Sequence, residues 1–203
     1  VYTSMDVIEG NCDLEKALVK DRRAENLKLL AASQKNNKTD IQPEQMKKIC
    51  HGLKETYDYV LVDSPAGIEQ GFQNAAVGAD EALIVTTPEV VAVRDADRII
   101  ALLQSMNISD IDLVINRLSP KMVKAGNMMN QQDIIDILSI NLVGVIPEDS
   151  EIVVSTNRGL PLIHNYRSDA GDAYKRIARR LEGEDVVIPT FKTSWLSKLF
   201  NWG

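Results

Sequence analysis

Aromatic residues and cysteines are scarce in this chain of 203 residues, which has two Trp, five Tyr, three Phe and two Cys. Cys12 and Cys50 lie far apart, and neither has a His at ligand spacing. The chain is therefore not a disulfide-rich scaffold, and two idle thiols are favoured over a metal or redox site. No run of about 18 apolar residues occurs, so no transmembrane helix is predicted. The first ten residues also lack the basic and apolar regions of a secretory signal.

The chain also has fewer basic than acidic residues, 23 against 29, which gives a net charge of −6. A general nucleic-acid binder is expected to carry a basic stripe, so this balance argues against that class of protein. Apolar residues make up 44% of the chain and charged residues 26%, which is typical of one folded domain. A chain of this length can bury a full core without disulfides or zinc.

Several glycine motifs are missing from the 203 residues. None of the 11 glycines belongs to a G-x-x-x-x-G-K-[ST] phosphate loop, a G-x-G-x-x-G fingerprint or a G-x-S-x-G elbow. The absence of the last two motifs removes support for Rossmann dinucleotide-binding and α/β-hydrolase functions. His51 and His164 each stand alone in the sequence, so both are predicted to be surface or loop residues.

Short β-branched runs alternate with helical patterns along the chain. This order predicts an α/β fold with a mostly parallel sheet and helices on both faces. Continuous apolar runs such as YVLVD and ALIVTT indicate strands that are buried on both faces. The predicted strands are 27–31, 59–62, 82–86, 113–115 and 142–146. The predicted helices are 43–55, 69–78, 89–105, 130–139, 149–157 and 168–182.

The clearest candidate for chemistry is YVLVDSPAGIE, residues 59–69. The strand is expected to deliver Asp63 to the carboxyl edge of the sheet, where ligands bind in open parallel sheets. A turn through Pro65 and Gly67 follows. In P-loop triphosphatases this arrangement holds a carboxylate near Mg²⁺ and brings a glycine amide to the γ-phosphate. A purely structural explanation is equally supported, in which Asp63 caps the turn and Gly67 supplies a positive φ.

Two further strand ends carry polar residues. Asn116 follows the run LVI, and its amide offers both donors and an acceptor to a base edge, although an ordinary turn asparagine is the simpler explanation. Pro147, Glu148 and Asp149 follow the last predicted strand and begin a helix. Acidic residues are favoured at a helix N-terminus, so these two need no ligand to explain them.

The last segment, 191–203, holds four of the ten aromatic residues. At 100° per residue its apolar residues fall on one side of a helix, with Thr193, Ser194, Ser197 and Asn201 opposite. The apolar side consists of Phe191, Trp195, Leu196, Leu199, Phe200 and Trp202. A bulky apolar face accompanied by lysines is typical of a helix that lies in a membrane interface. A helix docked on its own core or on a dimer partner is the alternative.

Five features occur together in this sequence: DSPAGIE, TTPEVVAVRDADRII, VINR, VGVIPED and the amphipathic tail. Their order and combination resemble the MinD family of septum site-determining ATPases, of the deviant Walker A class. The resemblance implies a P-loop-type ATPase fold with ATP and Mg²⁺ as cofactors, and a homodimer that forms with ATP. It also implies a cytoplasmic protein, peripheral on the inner face of the cell membrane, that binds an anionic membrane surface through its C-terminal helix. The implied protein partners are MinC, the division inhibitor it recruits, and MinE, which stimulates hydrolysis; no nucleic acid is implied.

The resemblance also suggests roles for particular residues. Asp63 becomes the catalytic-site carboxylate near Mg²⁺, acting through water, and Gly67 lies in the second switch. Asn116 and the turn of Pro147, Glu148 and Asp149 border adenine. Partners dock on the helix that carries Arg94, Asp95 and Asp97, although a solvated charged face is what the sequence alone favours for these three residues.

The resemblance implies that one part of the family's machinery lies outside these 203 residues. In the MinD family the glycine-lysine loop, the first switch and the strand that starts the sheet precede the segment matched here. The chain is therefore expected to be a fragment or the product of a truncated gene, and to neither bind ATP tightly nor hydrolyse it alone. The expected organisation is a partial ATPase domain over 1–183, a linker over 184–190 and a membrane-targeting helix over 191–203. A ParA-type partition ATPase and a non-enzymatic membrane-bound adaptor from a decayed ATPase are the alternatives.

The tail generates the first testable prediction. Replacing Trp195 or Leu199 with Glu is expected to weaken binding to anionic vesicles, because each change places a charge in the apolar face. Lys192 and Lys198 are left in place, and each contributes about 1 kcal/mol near an anionic surface. Vesicle co-sedimentation measures the effect, with Ser197→Glu on the polar side as the charge-matched control. Retention of the Trp195 and Leu199 variants at the parent level would contradict a membrane-binding tail.

Overall fold

A computed structural model describes residues 2–33, 41–65, 67–165 and 168–189. The chain divides into two compact units, Val1–Asp80 and Glu81–Gly203. Within the described ranges no helix is long and apolar enough to cross a bilayer. The predicted tail helix over 191–203 lies outside the described residues, and the division into domain, linker and tail stays a prediction.

The first unit combines four helices with a β-hairpin in its described part. Its elements are α1 (Ser4–Ile8), α2 (Leu14–Ala17), β1 (Leu18–Lys20), β2 (Lys28–Leu30), α3 (Pro43–Lys54) and α4 (Gln70–Ala76). The run 27–31 does form a strand, but it pairs antiparallel with β1, with Leu18 opposite Leu30. The reversal depends on Asp21, whose carboxylate accepts hydrogen bonds from the backbone N–H groups of Arg23 and Ala24 at 2.7 and 2.9 Å. An Asx turn of this kind is a local signal for a hairpin.

The predicted strand at 59–62 is wrong. These residues belong to no strand, because the described sheets contain only the β1–β2 hairpin and a three-stranded sheet in the second unit. A strand that is buried on both faces needs neighbouring strands to pair with and other elements packed on each face. The hydropathy of a run predicts neither of these. Leu61, at the middle of this run, is 91% exposed.

The second unit is a parallel sheet with helices. Its elements are β3 (Ala82–Thr86), α5 (Val90–Ser105), β4 (Ile111–Leu118), α6 (Pro120–Lys124), α7 (Gln131–Leu138), β5 (Asn141–Pro147), α8 (Ser150–Asn157), α9 (Leu162–Asn165) and α10 (Asp169–Leu181). The strand order is β3–β4–β5, and both pairings are parallel. The strand over 82–86 is confirmed, but its predicted burial on both faces is wrong, because Leu83 and Val85 are 43% and 58% exposed. β4 and β5 each extend beyond the predicted runs.

The core of the second unit lies on both faces of β4. Val114 packs in an apolar cluster with residues of β5, α9 and α10, and that cluster contains Val143, Ile146, Leu162, Ala170, Ala173 and Ile177. Leu113 and Ile115 are fully buried and, by the alternation of side chains in a strand, point to the opposite face. The central strand is therefore buried on both sides, as its continuous apolar run predicted.

Helix α10 approaches β5 closely at Gly144, where a Cβ atom would overlap the side chain of Ile177. Gly144→Ala is therefore expected to lower the free energy of unfolding by about 1–3 kcal/mol. Denaturant unfolding measures the change. In an Ile177→Ala background the added methyl has room, so the same substitution should cost much less there. Equal costs in both backgrounds would contradict an overlap between these two side chains.

Candidate functional site

The carboxyl ends of β4 and β5 bring together the residues predicted to border a base. Leu118 lies opposite Pro147 in the strand register, and the Glu148 N–H donates to the Leu118 carbonyl at 2.9 Å. This bond continues the pairing one residue past β5. Asn116 and Glu148 therefore flank the same end of the strand pair, as expected for neighbouring parallel strands.

Between Ile115 and Leu118 the strand pairing is irregular, and Arg117 adopts a φ of 58°. An irregularity of this kind bends a strand and redirects a side chain. The Arg117 N–H donates to the Asn116 Oδ1 at 2.9 Å, which holds the Asn116 amide at the strand end. The Arg117 guanidinium lies 3.8 Å from a carboxylate oxygen of Glu148, and both side chains are largely exposed. An exposed pair contributes little stability, so its main effect is to place a cation and an anion at the carboxyl ends of β4 and β5.

Asp149 has a structural role that the sequence also predicted. Its side chain caps α8 by accepting a hydrogen bond from the Glu151 N–H at 2.9 Å. The other carboxylate oxygen accepts a bond from the Ala170 N–H, at the start of α10, at 3.3 Å. Both oxygens are thus engaged by backbone donors. Pro147 is buried and Glu148 is exposed, so within this turn it is Glu148 that faces solvent.

Asp63 and Gly67 belong to the first unit and are both exposed in the loop before α4. Gly67 has a φ of 96°, a conformation that favours glycine and fits the structural explanation for this residue. Pro65 packs closely on Gly71 of α4, where a Cβ atom would lie 2.7 Å from the Pro65 Cγ. Gly71 therefore allows the loop that carries Asp63 to approach α4.

Arg94, Asp95 and Asp97 are exposed on α5, whereas Val93 and Ala96 of the same helix are buried. The Asp95 carboxylate lies 3.9 Å from the guanidinium of Arg98. The three predicted partner-binding residues therefore lie on the outer side of a well-packed helix. Their exposure fits both a docking surface and a solvated charged face.

No group of three or more His, Cys, Asp or Glu side chains in the described ranges is arranged to hold a metal ion. A single carboxylate such as Asp63 does not form such a group. In P-loop NTPases Mg²⁺ takes its ligands from a carboxylate, a Ser or Thr of the phosphate loop, the phosphates and water, so a carboxylate such as Asp63 supplies only one part of that kind of site. The six predicted membrane-contacting residues, from Phe191 to Trp202, lie outside the described residues.

Comparison with known proteins identifies the family. A family model described as ParA, NUBPL iron-transfer P-loop NTPase, matches residues 34–182. The septum site-determining protein MinD of Synechocystis sp. is 50% identical over 192 residues, which are 94% of this chain and 72% of that protein. The chain belongs to the MinD family of septum site-determining proteins.

Two solved structures support the fold assigned to this member of the MinD family. A chain of the MinC:MinD cell division protein complex from Aquifex aeolicus matches with a TM-score of 0.86 and 46% identity, covering 93% of this chain and 76% of that one. The MinD of Pyrococcus horikoshii, complexed with Mg-ADP, matches with a TM-score of 0.78 and 25% identity, covering 90% and 74%. The sequence-based assignments of the MinD family and of an α/β, P-loop NTPase-like fold are confirmed.

The two roles of Asp149 generate a stability prediction. Asp149→Ala removes the cap of α8 and the bond to α10, so it is expected to lower the free energy of unfolding by about 1–2 kcal/mol. Asp149→Asn keeps a capping oxygen and is expected to cost clearly less. Asn116→Ala, at the same end of the sheet, is the control and should change stability least. Chemical denaturation of the three variants measures the order, and equal stability of both Asp149 variants and the parent would contradict the capping role.

Proposed function

We propose that this protein acts in division-site selection as an ATP-dependent MinD that binds membrane and recruits MinC. The observation that carries the proposal is the 50% identity to a MinD over 94% of the chain. The arrangement of polar side chains at the carboxyl ends of β4 and β5 supports it, because this is where ligands bind in open α/β sheets. Membership of a P-loop NTPase class supports ATP hydrolysis as the reaction.

The nucleotide site that we propose uses the strand-end residues in two ways. Asn116 lies at the strand end with its oxygen accepting a backbone bond, and its amide nitrogen can donate to acceptors on a purine. Asp149 holds the adjoining turn in place through backbone bonds, so we assign it a positioning role rather than a contact with the nucleotide. Pro147 and Glu148 form the rest of the border of the adenine site.

A separate role at the phosphates is assigned to the loop before α4 in the first unit. Asp63 would hold Mg²⁺ through water, and the backbone N–H of Gly67 would approach the γ-phosphate. The exposure of both residues is compatible with these roles. The Pyrococcus horikoshii MinD complexed with Mg-ADP supports nucleotide and Mg²⁺ as the ligands of this family. Bound Mg²⁺ would supply charge neutralisation of the phosphates, while the chain contributes the carboxylate and the amide that orient it.

Partner recruitment is assigned to the exposed face of α5. The solved MinC:MinD complex of Aquifex aeolicus supports MinC as a partner, and MinE remains the proposed regulator of hydrolysis. Dimerisation with ATP would bring two C-terminal tails to one membrane surface. Two linked weak membrane contacts bind far more tightly than one, which explains why membrane attachment would depend on the nucleotide.

An alternative role in DNA partition is disfavoured by charge. The net charge of −6 leaves no overall attraction to the phosphate backbone, on which sequence-independent DNA binding depends. A membrane-bound adaptor without hydrolysis would keep the α5 surface and the tail but show no nucleotide dependence. The two roles therefore differ in whether ATP changes partner binding.

The α5 surface tests the proposal directly. Asp97→Lys, made in a protein that includes the glycine-lysine loop of the family, is expected to weaken retention by MinC or MinE about tenfold, because it reverses an exposed charge on the docking face. Pull-down in the presence of Mg-ATP or Mg-ADP measures retention and its nucleotide dependence.

The control for this experiment is Asp110→Lys, which makes the same charge reversal at an exposed loop residue before β4. It should leave retention unchanged. Equal retention of the Asp97 variant and the parent would indicate a solvated charged face instead. Retention of the parent that is the same with either nucleotide would favour the adaptor.

A further inference from the structure

Arg180, on the last turn of α10, binds three backbone carbonyl groups with its guanidinium. The Nη1 donates to the Val143 carbonyl of β5 at 2.8 Å. The Nε donates to the Val186 carbonyl and the Nη2 to the Val187 carbonyl, both at 2.7 Å. One side chain thus joins β5, the last strand in the described sheet order, to the segment that follows α10.

The end of α10 also directs that segment. Gly183 has a φ of 84°, its N–H donates to the Arg180 carbonyl, and the Glu184 N–H donates to the Arg179 carbonyl. This bonding pattern is a Schellman motif, which turns the chain sharply after a helix. The Arg179 guanidinium lies 2.7 Å from the Glu184 carboxylate and strengthens the turn. The turn at the end of α10 and the contacts of Arg179 and Arg180 therefore all direct the chain along the same path as far as Val187.

The three bonds use a property that lysine lacks. A guanidinium presents its N–H groups in a rigid planar fork, so it can serve three acceptors in different directions at once. An ammonium group can point at the same carbonyls but does not hold them in a plane. Burial, followed by the charges of Arg176 and Arg179, lowers the pKa of Arg180, which is consistent with a guanidinium packed into the protein. Arg176, one turn earlier on the same helix, makes none of these three bonds.

The three Arg180 bonds lie beside a groove at the amino ends of β4 and β5. The groove beside Arg180, about 430 Å³ in volume, is lined by Asp112, Asn141 and residues 184–188. Asp112 and Asn141 lie at the starts of β4 and β5 and are joined by a hydrogen bond of 2.6 Å. The segment after α10 is therefore held at the amino end of the strands, whereas Asn116 and Glu148 lie at the carboxyl end.

We propose that Arg180 is a positioning residue that fixes residues 184–188 at the amino end of the sheet and so sets the point from which the tail leaves the domain. The importance of this point for membrane binding rests on the proposed function. The path of residues 184–188 does not rest on the proposed function, because it is argued from the three Arg180 bonds alone. A fixed exit point increases the effective concentration of a second tail at a membrane, because fewer orientations are sampled.

Hydrogen–deuterium exchange tests the contact itself in the 203-residue chain. Arg180→Lys is expected to increase exchange of the Glu184 and Val186 amides about tenfold, because both donate backbone hydrogen bonds in the parent and the order of this segment depends on the three lost bonds. Exchange in β4, β5 and α10 should stay at the parent rate. Arg176→Lys is the matched control and should change neither region.

Two exchange results would overturn the proposal. An unchanged rate at the Glu184 and Val186 amides of the Arg180 variant would show that the guanidinium does not hold the segment. A rise of equal size in β5 and α10 would show a general loss of stability instead of a positioning role.

The exit point is measured by the distance distribution between two spin labels. The labels are placed at Pro189→Cys and Asp110→Cys, both exposed positions, with Cys12 and Cys50 replaced by alanine. The parent is expected to give a narrow distribution, and Arg180→Lys a distribution at least twice as wide. Equal widths would overturn the assignment of the exit point.

Neither the exchange measurement nor the spin-label measurement involves vesicles. A failure of the tail to bind membrane would therefore contradict the proposed function. The exchange and spin-label results would still test the role of Arg180. Conversely, a mobile exit segment combined with tight vesicle binding would contradict only the role of Arg180.

Discussion

The parallel pairing of β4 with β5 is the constraint on which the second unit depends. It places Leu118 opposite Pro147, and the Glu148 N–H then continues the pairing through the Leu118 carbonyl. Because β4 is buried on both faces, a shift of one residue would turn its apolar side chains to the wrong layer. The same register brings Asn116 to the end of the sheet where Glu148 begins its turn. Core packing and the position of the candidate base site are thus consequences of one alignment.

Much of this fold could be predicted from local pattern. The helix predicted over 89–105 is found as Val90–Ser105, and the strand over 82–86 is found as predicted, because both are strongly patterned. The helices missed by sequence analysis, such as Ser4–Ile8 and Leu162–Asn165, have five residues or fewer and are too short for a helical period to be visible. The run at 59–62 has the apolar character of a strand without forming one, because apolar character identifies a segment that can be buried but does not identify its neighbours.

For the candidate site, the placement of residues at the strand ends was predictable, but their specific contacts were not. Parallel strands place their carboxyl ends together, so the proximity of Asn116 and Glu148 followed from the fold class alone. The positive φ of Arg117 could not be anticipated, since it arises from an irregularity in the pairing with β5. The bond between Asp149 and the Ala170 N–H joins residues 21 positions apart, and no local pattern encodes it. Arg180 resembled any basic residue in the last turn of a helix, where cations are favoured without a specific contact.

Helix α10 is tied to both ends of β5. Its first turn is tied to the carboxyl end of β5, because the Ala170 N–H donates to Asp149. Its last turn is tied near the amino end of the same strand, because Arg180 donates to the Val143 carbonyl. Between these ties the close packing at Gly144 leaves no space for α10 to slide along β5. The helix is thus fixed against β5 at both ends and along its length. The candidate base site and the segment after α10 therefore lie at opposite ends of β5, and one helix contacts both.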